Sequence, residues 1–132
     1  MSRTIKYRVW DNENKSYNDP YSHSYYAMTQ DGELDFYCHG DHWRSCDPDV
    51  YFIEQYTGLT DKNGKEIYEG DIVKNIEGVN ETAVCVWDES NAEFDFRCKD
   101  GRCTRDNVKS WLEMYEVVGN IHENKELLDG SN

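Results

Sequence analysis

The chain has 132 residues and a formal net charge of −13, from 27 acidic and 14 basic side chains. That length suits one ordinary domain or two very small units with a shared core, and it disfavours a multidomain enzyme. The negative charge disfavours nucleic acid and anionic membranes as direct partners. Because no apolar run has the length of a membrane span and the first residues, Met1–Tyr7, lack the apolar segment of a secretory signal, we expect a cytoplasmic protein.

The chain begins with a segment in which Ile5, Tyr7 and Val9 alternate with Lys6, Arg8 and Trp10. From Ile5 to Trp10 the pattern has the period of a half-buried strand, and the turn-forming run Asp11–Lys15 ends it. Residues 17–30 carry several tyrosines without a clear period. We therefore expect a loop with one short strand in that segment.

Two further strand signals complete a β-rich N-terminal unit, residues 1–54. Asp31-Gly32 is a turn signal, and an alternating segment follows it at residues 34–38. Another strand is expected after Pro48, at Val50–Ile53. A unit of this size buries too little surface for independent stability, so we expect it to pack on the rest of the chain.

The rest of the chain, residues 55–132, has the spacing of a small antiparallel barrel. Asn107 is suited to cap a helical turn at residues 108–112, and Asn124 to cap a last turn at 127–128. The expected strands are Ile72–Ile76, Glu81–Trp87, Glu93–Cys98 and Glu116–Gly119, with turns at Glu77-Gly78, Glu89–Asn91 and Asp100-Gly101.

Strand alternation predicts that Trp87 and Phe96 belong to the barrel core rather than to a ligand platform. Trp87 follows Ala83 and Cys85 on one face of its strand, and Phe96 is central in the next strand. Truncation of either aromatic side chain is therefore expected to be costly.

The segment Gln55–Val73 concentrates residues with special backbone properties. The Asn-Gly pair tolerates the positive φ of a primed hairpin turn, the other glycines permit close turns, and the aspartate can accept hydrogen bonds from nearby backbone donors. We interpret all of these residues as fold determinants. They are Gly58, Asn63, Gly64, Gly70 and Asp71.

Five cysteines in a chain without a secretory signal fit free thiols in a reducing compartment, so no disulfide is expected. The segment Cys38–Cys46 places two thiols and two imidazoles within nine residues, and a zinc site can be drawn from them with Cys98 and Cys103 as a second pair. The ligands from that segment would be Cys38, His39, His42 and Cys46. Their spacing lacks the Cys-x-x-Cys knuckle. We therefore expect no metal and no other cofactor.

A nucleophilic Cys–His pair is conceivable at Cys46, with His42 or His122 as the base. No orienting Asn or Asp motif accompanies these residues, and no Gly-rich nucleotide loop is present. We expect no enzymatic activity.

Charge is unevenly distributed along the chain. Residues 31–54 hold seven acids and a single basic residue, Arg44, whereas cations cluster after residue 96. Guanidinium groups beside an indole suit a phosphate-bearing ligand or an acidic protein surface. The alternative is that these cations neutralise the acidic part of the chain. The candidate basic patch is Arg97, Lys99, Arg102, Arg105 and Lys109, with Trp111 beside them.

A second candidate interface is an aromatic loop, because tyrosine is enriched at protein interfaces. The alternative is a loop folded over the core. The aromatic loop comprises Tyr17, Tyr21, Tyr25 and Tyr26.

Four segments, Ile5–Asp11, Gln55–Val73, Val86–Asp88 and Tyr115–Leu128, follow one another in a specific order. In that order they resemble the blocks of the YopX proteins of bacteriophages and prophages. The resemblance implies a β-rich fold with an SH3-like C-terminal barrel, a tendency to form oligomers and a phage gene expressed in the bacterial cytoplasm. It implies no catalytic residue.

We therefore expect an all-β protein with short helical turns, in which an N-terminal β-unit (1–54) packs on a C-terminal SH3-like barrel (55–132). The expected function is that of a non-enzymatic phage accessory protein that binds a host or phage macromolecule, foremost a protein, and that self-associates through its opposite charge patches. It would act, for instance, by inhibiting a host system. One alternative is a sponge for a small phosphorylated signal at the basic patch, and another is an acidic DNA mimic that blocks a host DNA-binding enzyme.

Overall fold

A computed structural model shows an all-β fold, as the sequence predicts. It describes residues 4–17, 24–38, 43–78, 81–99, 101–102 and 108–128, and for a few strand residues only the backbone. The strands are β1 (Tyr7–Asp11), β2 (Ser16–Tyr17), β3 (Ser24–Met28), β4 (Leu34–Cys38), β5 (Trp43–Ser45), β6 (Tyr51–Thr60), β7 (Glu66–Tyr68), β8 (Asp71–Asn75), β9 (Thr82–Asp88), β10 (Glu93–Cys98), β11 (Gly101–Arg102) and β12 (Tyr115–Asn120). Helix α1 (Val108–Trp111) and 3-10 turns at Leu112–Met114 and Lys125–Leu128 complete the elements.

The chain divides into two compact units. Tyr7–Glu54 holds ten acidic and three basic residues and is called the acidic unit. Met1–Lys6 and Gln55–Asn132 form the other, called the half-barrel unit. The start of the chain belongs to the half-barrel unit because the carbonyl of Lys6 accepts the N–H of Tyr56 at 2.9 Å.

The half-barrel unit is built on a five-stranded sheet in the order β11-β10-β9-β8-β12, and its curl produces half of a barrel. In β9 and β10 side chains alternate between the two faces of the sheet, and one of these faces supplies core residues. Ala83, Cys85 and Phe96 are almost completely buried, and Cys85 and Phe96 are direct cross-strand partners. The SH3-like character of this unit stays a prediction.

The helical segment after β11 completes this core, which confirms the helical turn expected there. Trp111 and Leu112 are buried, and the Trp111 ring stacks on Tyr115 with centroids 3.8 Å apart. The proposed cap, Asn107, lies outside the described residues. No helix in the described ranges has both the length and the apolar character needed to cross a membrane.

The prediction for Phe96 is confirmed, but the prediction that Trp87 is a core residue is wrong. Trp87 is 45% exposed, although it shares a strand face with the buried Cys85. The reason is its place near the end of β9, where the sheet extends past the core. Its ring meets that of its cross-strand partner Phe94 in a T-shaped arrangement, with centroids 5.0 Å apart.

The hairpin between β6 and β7 has a different turn from the one predicted. Gly64 has a φ of +82°, but Asn63 is not among the described residues with positive φ. The N–H of Gly64 donates to the carbonyl of Asp61, and the Asp61 carboxylate accepts the N–H groups of Asn63 and Lys65. This pattern is a wider loop in which only the glycine is left-handed, so the primed two-residue turn is a wrong prediction.

The acidic unit contains a three-stranded sheet in the order β3-β4-β5 and the start of a second sheet, β2-β1-β6-β7, whose strand β6 passes through the unit boundary. Glu54 is buried in this second sheet. Its carboxylate accepts hydrogen bonds from Arg8 at 2.8 Å and from the Tyr17 hydroxyl at 2.9 Å. Trp10 is also buried, so β1 is covered on both faces rather than half-buried as predicted.

The expectation that every cysteine is a free thiol is wrong at Cys98, which is disulfide-bonded. Cys46 and Cys85 are not disulfide-bonded. Cys98 ends β10 where the chain turns into β11, opposite Gly101. The expectation used only the number of cysteines and the inferred compartment, neither of which reports which sulfur atoms the fold brings together. The partner cysteine lies outside the described side chains.

Candidate functional site

The acidic unit contains an open, mostly apolar cavity of about 410 Å³, called here the acidic-unit cavity. A volume of this size accommodates a large side chain or a small organic molecule. The lining residues are Gly32, Glu33, Leu34, Ser45, Cys46, Pro48, Tyr51 and Ile53.

One side of the cavity is formed where β4 and β5 meet. The N–H of Cys46 donates to the carbonyl of Leu34 at 2.9 Å, which extends the β4–β5 ladder by one residue. Leu34 is 6% exposed and Cys46 is half-buried, so both belong to the wall rather than to the outer surface. The geometry of this wall is therefore fixed by backbone pairing.

Another part of the lining comes from the start of β6. The N–H groups of Val50 and Tyr51 both donate to the carbonyl of Asp47 at 3.0 Å, which reverses the chain between β5 and β6. Strand alternation then places Tyr51 and Ile53 on the same face, where both line the cavity.

The electrostatic environment of the cavity is negative. Glu33 lies in its wall, and Asp35 and Asp11 are close enough to add to the rise in the pKa of the Cys46 thiol, which is caused mainly by burial. Burial also raises the pKa of Tyr26 to about 12, again with a contribution from Asp11. Because the thiol and the phenol stay neutral at physiological pH, the charge here comes from carboxylates.

The structure places the members of the candidate basic patch in different environments. The Arg97 guanidinium donates to Asp95 at 2.9 Å and to Asp88 at 3.3 Å, and Trp111 is buried in the core. Lys99 and Lys109 are exposed.

Lys109 borders a small depression of about 240 Å³, together with Thr60, Asp61, Lys62, Leu112 and Glu113. Arg102 is described only by its backbone, in β11, and Arg105 lies outside the described residues. A binding role for this patch stays a prediction.

The aromatic loop is only partly described. The guanidinium carbon of Arg8 lies 4.3 Å from the ring centroid of Tyr17. The ring centroids of Tyr26 and the cavity residue Tyr51 are 5.9 Å apart. Tyr25 is described by its backbone, in β3, and Tyr21 lies outside the described residues. Tyr26 therefore links this segment to the surroundings of the acidic-unit cavity.

The described residues contain no group of three or more His, Cys, Asp or Glu side chains arranged to hold a metal ion. His42 lies outside these residues, and Cys38 is described only by its backbone. Cys46 lines the cavity, and His122 lies in the half-barrel unit.

Sequence reasoning missed the cavity, although two of its signals were visible. The acids of residues 31–54 marked the region as electronegative, and Pro48 separated the strands that form the two walls. The pair Asp47-Pro48 also favours a turn, and the Asp47 carboxylate accepts the N–H of Asp49 at 2.9 Å, but no residue pattern specifies the width of the space that this turn leaves beside it.

Comparisons with known proteins give a family and two similar structures. A family model described as YopX protein matches residues 6–129. The crystal structure of protein EF1440 from Enterococcus faecalis is similar at 27% identity and a TM-score of 0.61, covering 96% of this chain and 99% of that one. Protein yopX from Bacillus subtilis is similar at 22% identity and a TM-score of 0.61, covering 99% and 100%, which supports the fold alone. No curated protein matches the sequence.

Proposed function

The chain belongs to the YopX family, and from that membership we propose that it is a non-enzymatic accessory protein of a phage or prophage, which binds a basic protein in the bacterial cytoplasm. The proposal depends on one observation above all: an open cavity with apolar walls lies in the unit where acids outnumber bases by ten to three. Cys46 has no catalytic role in this proposal, because burial keeps its thiol protonated and weakly nucleophilic.

Charge complementarity supports a basic partner. An acidic surface accelerates encounter with a basic surface and repels nucleic acid and other acidic proteins. A protein that normally binds DNA presents such a basic surface, so the DNA mimic is one form of this proposal. Inhibition of a host system would follow if the partner's own ligand were displaced.

The phosphate-sponge alternative has less support. It requires the basic patch to converge on an anion, but Arg97 is already paired with two carboxylates of its own chain. The indole of Trp111 stacks on Tyr115 in the core, so it offers no open ring face on that side.

Self-association is part of the proposal. Opposite charge patches on one chain favour head-to-tail contact between copies, which closes into a ring if the rotation permits. Light scattering at low and high salt is the measurement, and we expect an oligomer at low salt. A monomer at both ionic strengths contradicts self-association.

Partner capture with matched charge variants tests the function. The double variant Glu33→Gln, Asp35→Asn removes two carboxylates at the cavity, whereas the control Glu89→Gln, Glu93→Gln removes two from the hairpin tip of the half-barrel unit. We expect a basic protein to be recovered from bacterial cells by the parent and the control, and at least several-fold less by the cavity variant. Equal recovery by all three proteins contradicts the proposal.

A further inference from the structure

We infer that the acidic-unit cavity and the outer edge of β5 together bind an extended, lysine- or arginine-rich segment of the partner protein, with one apolar side chain of that segment seated in the cavity. This inference rests on the proposed function and specifies the part of the partner that is recognised. Its three elements are an apolar anchor, a strand edge and a negative surface.

The cavity supplies the anchor site. Leu34, Tyr51 and Ile53 give its wall apolar and aromatic surface, and the opening to solvent lets a side chain enter from outside. Burial of an aliphatic side chain there removes apolar area from water on both partners. A small polar ligand would gain little from such a wall, so the anchor is aliphatic or aromatic.

The edge of β5 supplies backbone recognition. Among the described strands, β5 pairs with β4 alone and lies at the edge of the sheet. Because Cys46 bonds to Leu34 across the ladder, antiparallel alternation turns the N–H and C=O of the intervening Ser45 away from β4. These outward groups can pair with a strand of another chain, and Ser45 also lines the cavity.

The charge selects the sequence of the segment. In an extended segment successive side chains alternate between two faces, so a strand on β5 can seat an apolar residue in the cavity and hold cations over the surrounding carboxylates. Glu33, Asp35 and Asp11 supply negative charge at the cavity. A strand edge and an apolar pocket would also accept a neutral peptide, whereas this environment favours a basic one.

A synthetic peptide tests the three elements without any change to the protein. The probe is Lys-Thr-Lys-Leu-Lys-Thr-Lys, and its variants replace Leu by Ala or every Lys by Glu. By fluorescence anisotropy we expect the Leu peptide to bind about tenfold more tightly than the Ala peptide, and the Glu peptide not to bind. Equal affinity of the Leu and Ala peptides overturns the role of the cavity, and binding of the Glu peptide overturns the role of the charge.

Two protein variants test the contact surface. Ser45→Pro removes the outward N–H but leaves the bond between Cys46 and Leu34, and Ser45→Ala is the matched control that keeps the N–H. We expect at least fivefold weaker binding of the Leu peptide by the proline variant only. Cys46→Trp fills the cavity and is expected to abolish the preference for Leu over Ala. Thermal unfolding verifies that each variant is folded.

The same variants separate this inference from the proposed function. If the basic partner is captured by the parent, lost in the carboxylate variant and still captured in full by folded Ser45→Pro and Cys46→Trp, the function stands and the inference is overturned. If neither the parent nor any variant captures a basic partner, the proposed function is contradicted, and the inference, which rests on it, falls with it.

Discussion

At the scale of single residues, buried polar side chains hold the turns by accepting backbone N–H groups. Asp61 is 7% exposed and accepts three of them, from Asn63 at 2.8 Å, Lys65 at 2.9 Å and Val117 at 2.8 Å. Asp71 accepts the N–H of Tyr68, at the end of β7, at 2.8 Å, as the sequence predicts for a nearby backbone donor. The role of Asp61 was not predictable, because Val117 is distant in sequence and only the fold brings it to the turn.

Asp61→Ala should lower the free energy of unfolding by about 2–4 kcal/mol, because the substitution leaves three partly buried N–H groups without their charged acceptor. The measurement is urea denaturation. Asp11→Ala is the control, since Asp11 accepts the N–H groups of Glu13 and Asn14 within an exposed turn. The Asp11→Ala variant should lose about 1 kcal/mol or less of unfolding free energy. Similar losses in both variants would contradict the buried role of Asp61.

Gly64→Val should lower the free energy of unfolding by about 1–3 kcal/mol, and Gly64→Asn by clearly less. An added Cβ meets no atom within 4 Å, so the cost comes from the φ of +82° alone. Asparagine tolerates that conformation better than a β-branched residue does. Chemical denaturation of both variants is the measurement, and equal losses would count against the left-handed turn.

At the scale of elements, alternation and turn residues predicted most strands of the half-barrel unit. β10 has the predicted bounds, and β8, β9 and β12 differ from the predicted segments by one residue at each end. Alternation reports which residues share a face but not how far the core extends along it. That is why Phe96 was placed correctly and Trp87 was not.

Phe96→Ala should therefore cost about 3–5 kcal/mol of unfolding free energy, whereas Trp87→Ala should cost about 1 kcal/mol or less, the value of an exposed aromatic pair. Phe96 is fully buried against Trp111, and Trp87 is 45% exposed. Guanidinium denaturation compares the two. A Trp87→Ala protein that is as destabilised as Phe96→Ala would contradict the exposed position of Trp87 and support its assignment to the core.

The candidate site was less predictable than the fold. Composition indicated an acidic region at residues 31–54, but a cavity is the space left between elements, and single-chain periodicity does not encode it. The two charged patches were predicted from residue order alone. Arg97 is held by Asp95, its same-face neighbour in β10, and by Asp88, which becomes its neighbour only through the β9–β10 hairpin.

At the scale of the whole molecule, several phenol groups titrate outside their usual range. Burial raises the pKa of Tyr115 to about 12, and the hydrogen bond from its hydroxyl to Glu81 adds to the shift. Tyr26 in the acidic unit is raised to about 12 as well. Both units therefore contain a phenol that is neutral when folded and that ionises more readily when unfolded.

Stability should fall at alkaline pH. Because the folded pKa is raised, the contribution of each phenol is fully present below its ordinary pKa near 10 and is lost as the pH rises toward 12. Urea denaturation from about pH 8 to about pH 11.5 should show the decline. Tyr115→Phe should reduce its slope, by at most about 1.4 kcal/mol per pH unit. An unchanged slope would contradict the shift at Tyr115.

The central claim is that the acidic unit, through its cavity and the edge of β5, receives a basic partner. Hydrogen–deuterium exchange of the chain, alone and in complex with the captured partner, tests this claim most directly. The account predicts protection at residues 32–35 and 44–53, and none at the exposed hairpin tip around Trp87. Protection confined to the half-barrel unit, with unchanged exchange at residues 44–53, would contradict it.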